Sequence, residues 1–317
     1  MVPGHDDGLW GIGELAGRVG VTVKTVRFYS ERGLLPEASR SSGGHRRYGR
    51  DALGRLRLIR SLRALDLPLP QVRRILDEDA GAGQALEDVV DQQLRELGTR
   101  LVTLRWREAA LRMIQESSPQ ERADRLLLLG AVTSAPNTDS LVRFWRRWLP
   151  PRMPARAIAA FMEQTVPEPP DNPTPAQVLA FARLHAYVTR PCTSTAPRGQ
   201  PAAHRASPDF RPAVLYDGLG EAYALAAVQL RRERSPHSGE ALDCFVAAYA
   251  AASGTYDGVD FRRRLAGQLA QDPQIDRYWE LTAEVIGPID GRPPPTPGSA
   301  HDWLLTALTG QIPELIA

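Results

Sequence analysis

The residues with the clearest capacity for chemistry in this 317-residue chain are basic and hydroxyl side chains near its N-terminus. They form two groups, one on a short predicted helix and one in the Ser/Gly-rich loop that follows it. Such side chains donate hydrogen bonds to phosphate oxygens and base edges, so their grouping favours contact with a nucleic-acid duplex. The candidates are Thr22, Lys24, Thr25, Arg27 and Tyr29 in the first group and Arg40, His45, Arg46, Arg47 and Tyr48 in the second.

Two short helices are predicted to position the first group. Apolar residues repeat at helical spacing over residues 12–19, and Gly20 then interrupts the pattern. Thr22 can cap a second helix, which ends at Gly33. The residues of this second helix expected to face the core are Val23, Val26 and Phe28. Two helices joined by a tight turn predict a helix-turn-helix, whose second helix lies in the major groove of DNA.

The loop over residues 40–48 is predicted to be a hairpin with a basic tip, because glycine and serine separate its basic and aromatic ends. Such a wing would lay arginines along the DNA backbone or in the minor groove. Beyond it, apolar spacing predicts a helix from Asp51, a break over residues 66–70 and a further short helix over residues 71–76. Together these elements predict a compact head of about four helices.

A long helix with a heptad repeat is predicted over residues 84–114. The preceding DEDAGAG segment, residues 77–83, predicts a hinge, because its small residues weaken a helix. The repeat predicts a two-stranded coiled coil with a partner chain, although packing of the same face on its own chain is the alternative. The seam residues are Val90, Leu94, Leu97, Leu101, Leu104 and Leu111.

The remaining 200 residues predict an all-helical domain. Nine helical segments are expected between residues 120 and 309, separated by proline clusters, and β-branched alternation is absent. The loop over residues 191–212 is expected to be disordered or a lid.

Composition excludes several classes of protein. The chain is 43% hydrophobic and 24% charged, with no membrane-spanning run or signal peptide, and its two cysteines are too few for a disulfide framework. We therefore expect a cytoplasmic protein without a membrane partner. Residues 1–78 carry 14 Lys+Arg against 9 Asp+Glu, whereas the other 239 residues carry 25 against 28. The basic end is thus the expected nucleic-acid end.

The helical domain is predicted to bind an organic effector rather than a metal. Cys192 and Cys244 are far apart, and residues 110–140 contain no Cys or His, so no metal site and no cofactor are predicted. Aromatic side chains are abundant, and aromatic-lined pockets between helices bind small molecules. The candidate pocket residues are Trp145, Tyr223, Tyr249 and Trp279. They are chosen because they lie near the acidic residues Glu221, Asp243 and Glu280 in the sequence.

No enzymatic motif is present. The chain lacks a phosphate-binding loop that ends in Lys-Ser/Thr, an HExxH helix and a GxSxG turn. Its four C-terminal histidines stand alone in the sequence, and we expect no catalytic residues. These histidines are His185, His204, His237 and His301.

The order of these motifs resembles the MerR family of bacterial transcription regulators. The resemblance covers residues 9 to about 116 and lies in the helix-turn-helix, RFYSERGLLP, the wing ending GGHRRY, the second helix pair and the heptad helix. It implies DNA contacts by both candidate groups and antiparallel pairing of the long helix in a homodimer. Two departures stand out: His45 replaces a usual tyrosine, and Asp66 and Pro68 replace the glycine and small polar residue of the second turn.

The resemblance also implies a domain order and a mechanism. The dimer would bind an inverted-repeat promoter and, on binding effector, bend and untwist the DNA so that RNA polymerase engages both promoter elements. The alternatives are a drug-sequestering resistance protein or a regulator whose helical domain binds a protein partner. The expected segments are a flexible tail 1–8, a winged helix-turn-helix 9–78, a hinge 79–83, a dimerisation helix 84–116 and an effector domain 117–317.

Overall fold

The protein is mainly helical, as the sequence predicts. A computed structural model describes residues 8–77, 82–130, 136–150, 153–190, 201, 209–272, 275–289 and 291–314. Fourteen helices and three short strands lie within these ranges. The chain divides into two compact units, Met1–Thr99 and Arg100–Ala317.

The first unit begins with two helices joined by a tight turn. Helix α1 spans Ile12–Val19 and α2 spans Val23–Glu31. Gly20 closes α1 with a left-handed φ of 70°, and its backbone N–H donates to the carbonyls of Ala16 and Gly17. Glycine suits this position because a side chain would strain the left-handed backbone.

The head also contains a three-stranded antiparallel sheet. Strands β2 (Ser39–Arg40) and β3 (Arg46–Tyr48) form the predicted wing hairpin, in which Arg40 pairs with Arg46. The sequence did not predict strand β1 (Trp10–Gly11), which pairs with the other edge of β3. The wing is therefore joined to the start of the chain.

Helices α3 (Asp51–Ala64) and α4 (Leu69–Asp77) complete the head. Asp66, which stands where the family usually has glycine, adopts a left-handed φ of 58° in the turn between them. Aspartate is one of the few residues with a side chain that tolerates this region. The turn between α3 and α4 therefore forms even though aspartate replaces the glycine that is usual in the family.

Two arginines of α3 form hydrogen bonds to other elements of the head. Arg55 on α3 donates from Nε to the carbonyl of Leu34 at 2.7 Å and from Nη1 to the carbonyl of Leu76 at 3.0 Å. Arg60 donates to the carbonyl of Val19 at the end of α1. These guanidinium groups satisfy carbonyls that helix ends and loops leave without partners, so the two arginines have structural roles.

Helix α5 is long and presents two different faces. It spans Ala82–Gln115, so the last two residues of the predicted hinge are helical, while residues 78–81 lie outside the described ranges. Ala85 and Val89 are buried in the first unit, and Trp106 and Ala109 are buried in the second. The predicted heptad leucines lie on another face.

The second unit is entirely helical within its described residues apart from one isolated β-bridge, and each of the nine predicted helices is present. They are α6 (Pro119–Gly130), α7 (Asp139–Arg146), α8 (Ala155–Thr165), α9 (Pro175–Thr189), α10 (Pro212–Arg231), α11 (Glu240–Ala252), α12 (Val259–Leu269), α13 (Asp276–Ile286) and α14 (Pro297–Glu314).

Helix α9 begins with a capping box that also fixes its neighbour. Thr174 Oγ1 accepts from the backbone N–H of Gln177 at 3.2 Å, and Gln177 Oε1 accepts from the backbone N–H of Thr174 at 2.9 Å. The Nε2 of Gln177 donates to the carbonyls of Val285 and Ile286 at the end of α13. One side chain therefore joins α9 to α13.

Two hydrophobic clusters fill the second unit. One lies among α10, α11, α12 and α14, and α10 and α11 approach closely because Gly218 lies against Ala248. The other contains Trp106 of α5 with aromatic residues of α7, α9 and α13. Tyr278 is fully buried in the second cluster, and its hydroxyl donates to the carbonyl of Thr165 at 2.6 Å.

Three expectations fall largely or wholly on residues that the structure does not describe. These are the tail at residues 1–7, most of the loop over residues 191–212, and Cys192 with His204 in that loop. Among the described helices, none is both long enough and apolar enough to span a membrane.

Candidate nucleic-acid interface and ligand cavity

Helix α2 presents a cationic outer face and begins at the predicted cap. Thr22 Oγ1 accepts a hydrogen bond from the backbone N–H of Thr25 at 3.1 Å, and the two hydroxyls lie 2.8 Å apart. Lys24 and Arg27 are exposed, and neither forms an ion pair with any residue in the described ranges. The helix therefore offers two unneutralised cations to an approaching anion.

The inner face of α2 is narrower than the sequence predicted. Val26 is fully buried, but Val23 and Phe28 are both exposed by more than a third. Phe28 instead lies under the guanidinium of Arg32, 4.6 Å from its ring centre, and beside the ring of Tyr29. The expectation that Val23 and Phe28 face the core is wrong, because a nine-residue helix has room for only a narrow buried stripe.

Tyr29 lies at the edge of the head's core. Its half-buried ring packs against both hydrophobic clusters of the first unit. Its position fits a packing role, and a phosphate contact by its hydroxyl stays a prediction.

Glu37 forms ion pairs with two of the wing arginines. Sequence analysis did not predict this pairing. Its carboxylate pairs with Arg40 Nε at 3.0 Å and with Arg46 Nε at 3.2 Å. The Arg46 side chain is only 27% exposed, whereas that of Arg40 is 58% exposed. The Glu37 carboxylate thus accepts the hydrogen bonds that these guanidinium groups could otherwise donate to a DNA phosphate.

The wing turn orients His45 outward. Gly44 adopts a left-handed φ of 78°, and Ser41 closes the turn by accepting from the backbone N–H groups of Gly44 and His45. His45 is exposed at the tip. Arg47 points elsewhere, since its Nη2 donates to the carbonyl of Leu9 at 3.0 Å.

Tyr48 is a core residue, so the prediction that it contacts DNA is wrong. Its side chain is 0% exposed and packs in the cluster formed by α1, α2 and α3. The reason is the additional strand: Trp10 pairs with Tyr48, so β3 is the central strand of the sheet and not an edge of a free hairpin.

The predicted dimerisation seam is an exposed apolar stripe along α5. Val90 is partly buried, whereas the five leucines of the seam are between 48% and 64% exposed. A row of leucines facing solvent is unfavourable, at roughly 25 cal/mol for each Å² of apolar surface. The five residues are Leu94, Leu97, Leu101, Leu104 and Leu111.

All four candidate effector residues line one cavity of about 190 Å³ in the second unit. Trp145 and Trp279 lie on one side of it, with Trp145 5.3 Å from Trp279 between ring centres. Tyr223 and Tyr249 belong to the other hydrophobic cluster. The cavity therefore lies where the two clusters of this unit meet, and its aromatic lining extends to Trp148, Phe161 and Tyr216.

The acidic residues chosen with these aromatics do not line the cavity. Asp243 is paired with Arg262 at 2.9 Å, Glu280 is paired with Arg277 at 2.7 Å, and Glu221 is exposed on α10. Glu221 and Glu280 failed because helical residues one or two apart point in different directions, and Asp243 failed because residues six apart also lie on different faces of a helix. The carboxylates that do line the cavity are those of Asp272, Asp276 and Asp302.

A tyrosine–histidine pair forms part of the cavity wall. The Tyr223 hydroxyl and Nδ1 of His301 are hydrogen-bonded at 3.1 Å. Burial lowers the pKa of His301 to about 4 and raises the pKa of Tyr223, which the nearby charges of Asp302 and Asp272 raise further. Both groups are consequently neutral at pH 7.

The other candidate groups of this unit are not brought together. Cys244 is partly buried on α11, and burial raises the pKa of its thiol. His185 lies on α9 and His237 in the loop before α11. Across the described part of the chain, no three His, Cys, Asp or Glu side chains are grouped closely enough to hold a metal ion.

Comparison with known proteins places the first third of the chain in a family. The family model described as MerR HTH family regulatory protein matches residues 11–79. An HTH-type transcriptional regulator ZntR homologue of Haemophilus influenzae is 33% identical over 121 residues, covering 37% of this chain and 90% of that protein.

Other matches are more limited. The nodulation protein NolA of Bradyrhizobium sp. (strain NC92) is 48% identical over 68 residues, covering 22% of this chain, and the match spans 29% of NolA. The crystal structure of HiNmlR, a MerR family regulator lacking the sensor domain, bound to promoter DNA, is 22% identical, with a TM-score of 0.22. The match covers 32% of this chain and 88% of that structure.

The family model covers the helix-turn-helix, the wing and the second helix pair, and the ZntR homologue is similar over 121 residues. The exposed cations of α2 and the wing lie within the matched residues 11–79. The chain therefore belongs to the MerR family of transcriptional regulators.

Proposed function

We propose that this protein is a homodimeric DNA-binding transcription regulator that reads an inverted-repeat promoter. The observation that carries the proposal is the outer face of α2, where Lys24 and Arg27 are exposed and unpaired beside a basic wing. The recognition helix would lie in the major groove and the wing along the adjacent backbone. Regulators of this family bind DNA and are not enzymes, so no catalytic role is proposed.

DNA binding is tested by fluorescence anisotropy with a duplex from upstream of the protein's own gene. Affinity should fall steeply with salt, because each phosphate that is neutralised adds about 0.9 to the slope of log K against log salt. A fragment with an inverted repeat should bind more tightly than a scrambled one. Binding that does not depend on salt or sequence would contradict the proposal.

The leucine stripe of α5 supports homodimer formation. Five exposed leucines at heptad spacing form the seam that a second helix covers in a two-stranded coiled coil. Antiparallel pairing of α5 would join two heads, and the distance between them would set the half-site spacing. Sedimentation equilibrium at micromolar concentration tests this assembly, and a monomer would contradict it.

The cavity of the second unit supports regulation by an organic effector. It is a concave, aromatic-lined cavity between helices, as small-molecule sites commonly are. The effector must bind the activating conformation better than the repressing one, and a shift from 1:99 to 99:1 needs about 10⁴-fold better binding, or about 5.5 kcal/mol. The activating conformation would bend and untwist the promoter so that RNA polymerase can engage it.

The cavity also favours one alternative, a protein that sequesters a toxic compound. Transcription in vitro separates the two functions: a regulator changes transcript yield when the ligand is added, whereas a sequestering protein binds ligand without that change. If the helical domain instead binds a protein partner, small molecules should not stabilise it, and a second protein should co-purify with it.

A further inference from the structure

The charges around the cavity are all of one sign. Asp272, Asp276 and Asp302 line it, and no Lys or Arg occurs among its described lining residues. His301, the remaining titratable base in the lining, is neutral because burial lowers its pKa to about 4. At pH 7 the lining is therefore anionic.

Two of these carboxylates, on the exposed residues Asp276 and Asp302, have no arginine partner among the described residues. Asp243 and Glu280 are each neutralised by an arginine, whereas Asp276 and Asp302 form no ion pair within the described residues. Burial raises the pKa of Asp302, and the negative charge of Asp276 raises it further. Both residues line the same cavity, so a positive group bound there would be attracted by both carboxylates.

The aromatic walls provide a second attraction for positive charge. Trp145, Trp148 and Trp279 line the cavity together with three tyrosines, and the faces of such rings attract organic cations within about 6 Å of the ring centre.

A metal ion fits this site poorly. The three aspartates are not grouped closely enough to coordinate one ion, and the lining between them is aromatic and aliphatic. Hard cations require several oxygen ligands around one point. An ion whose charge is attached to an apolar body would instead place the charge by the carboxylates and the body against the rings.

We propose that the cavity binds a small organic cation with an aromatic or apolar body, with Asp276 and Asp302 as the residues that select its charge. This inference rests on the effector role proposed above and specifies its ligand class. It excludes organic anions, which Asp276 and Asp302 repel.

Three probes of matched shape test the charge preference: 1-methylquinolinium (cationic), 1-methylnaphthalene (neutral) and 1-naphthoate (anionic). Equilibrium dialysis against the full-length protein should give at least tenfold tighter binding of the cation than of the neutral compound, and no binding of the anion. In the double variant Asp276→Asn/Asp302→Asn, affinity for the cation should fall at least tenfold, while affinity for 1-methylnaphthalene should change less than twofold.

Glu280→Gln is the matched control, because it removes one carboxylate from the same helix as Asp276 without altering the lining. It should leave the binding of all three probes unchanged.

Equal or tighter binding of the neutral or anionic probe would overturn the cation preference but leave the cavity a ligand site. Equal loss of cation affinity in Glu280→Gln would overturn the role of the two aspartates. Failure of every probe to bind at 1 mM would overturn this inference and remove the cavity's support for effector binding, while leaving the DNA-binding proposal intact.

Discussion

The DNA-binding head and the cavity of the second unit assemble their chemistry in opposite ways. The head draws its exposed groups from one continuous stretch, residues 22–46, and the groups are mainly cationic. The cavity draws its lining from helices and loops between Trp145 and Leu305, and its charged groups are carboxylates.

The difference shows how far each region depends on the rest of the chain. In the head, local helix spacing and a short hairpin suffice to place the cations outward. In the cavity, each wall depends on the packing of two hydrophobic clusters. Changes in the head should therefore alter DNA binding alone, whereas packing changes in the second unit should alter the cavity and its stability.

The largest expected effect comes from the stripe that would join two heads. Leu101→Asp places a charge in the middle of the proposed coiled-coil seam, where the side chain is 50% exposed in the single chain. The dimer should dissociate, and affinity for an inverted repeat should fall about 100-fold or more, because simultaneous use of two sites contributes 10²–10⁴. Sedimentation velocity and anisotropy measure the two effects.

Leu127→Asp is the control for that change, since Leu127 is 76% exposed on α6 and lies outside the seam. It should leave both the dimer and the affinity unchanged. A Leu101→Asp protein that remains dimeric would show that α5 does not form the interface.

Within the second unit, Gly298→Ala should damage the cavity without affecting DNA binding. A Cβ at Gly298 would overlap the indole ring of Trp279, which lines the cavity. Overpacking of this kind costs about 1–3 kcal/mol, measurable by thermal unfolding with tryptophan fluorescence. Gly310→Ala on the same helix meets no neighbour and should be neutral or stabilising. Equal behaviour of the two variants would refute the close packing.

In the head, Arg27→Ala should weaken DNA binding about tenfold. Loss of one phosphate contact should also reduce the salt slope by about 0.9. Anisotropy titrations at several salt concentrations measure both quantities. Arg263→Ala, which removes an exposed arginine of the second unit, should change neither. Weaker binding with an unchanged slope would indicate that Arg27 has a structural role.

The second unit should also respond to acid through His301, which lines the cavity. Because burial lowers the pKa of His301 from 6.5 to about 4, the unfolded chain binds the proton first as the pH falls. The contribution of His301 to the free energy of unfolding is therefore fully present above pH 6.5. It should decrease between pH 6.5 and about 4, by up to about 1.4 kcal/mol per pH unit. Urea unfolding at several pH values measures it.

His301→Gln should lose this dependence while keeping a polar partner for Tyr223. His237→Gln, the same substitution at an exposed site outside the cavity, is the matched control for the change of side chain. The same acid dependence in His301→Gln as in the parent protein would assign the effect to other groups.

The smallest expected effect comes from Glu37 in the wing. Glu37→Gln removes the carboxylate that pairs with Arg40 and Arg46, so both arginines become available to phosphates. Affinity for DNA should rise about threefold, and each freed arginine should add about 0.9 to the salt slope. A loss of affinity would instead show that Glu37 holds the wing in its binding conformation.

The sequence predicted most of the head because its signals are local. Apolar spacing, the Thr22 cap and glycine turns each act within a few residues, and they placed α1, α2 and the wing. It misassigned Tyr48 because burial of that residue depends on β1, a two-residue strand too short to leave a pattern.

In the cavity, sequence proximity identified the aromatics but chose the wrong acids. Trp279 has Glu280 as its next residue, which points to another side of α13. Asp276 lies three residues earlier and therefore on the same face. Helical spacing could have found Asp276. The approach of Asp302 from α14 depends on tertiary packing, which no local pattern reveals.

The composition of the protein–DNA complex tests the central claim most directly. Native mass spectrometry of the full-length protein with a promoter fragment, paired with a footprint on the same fragment, should show two chains on one duplex and protection of both halves of an inverted repeat. One chain per duplex, or protection without an inverted repeat, would contradict the account.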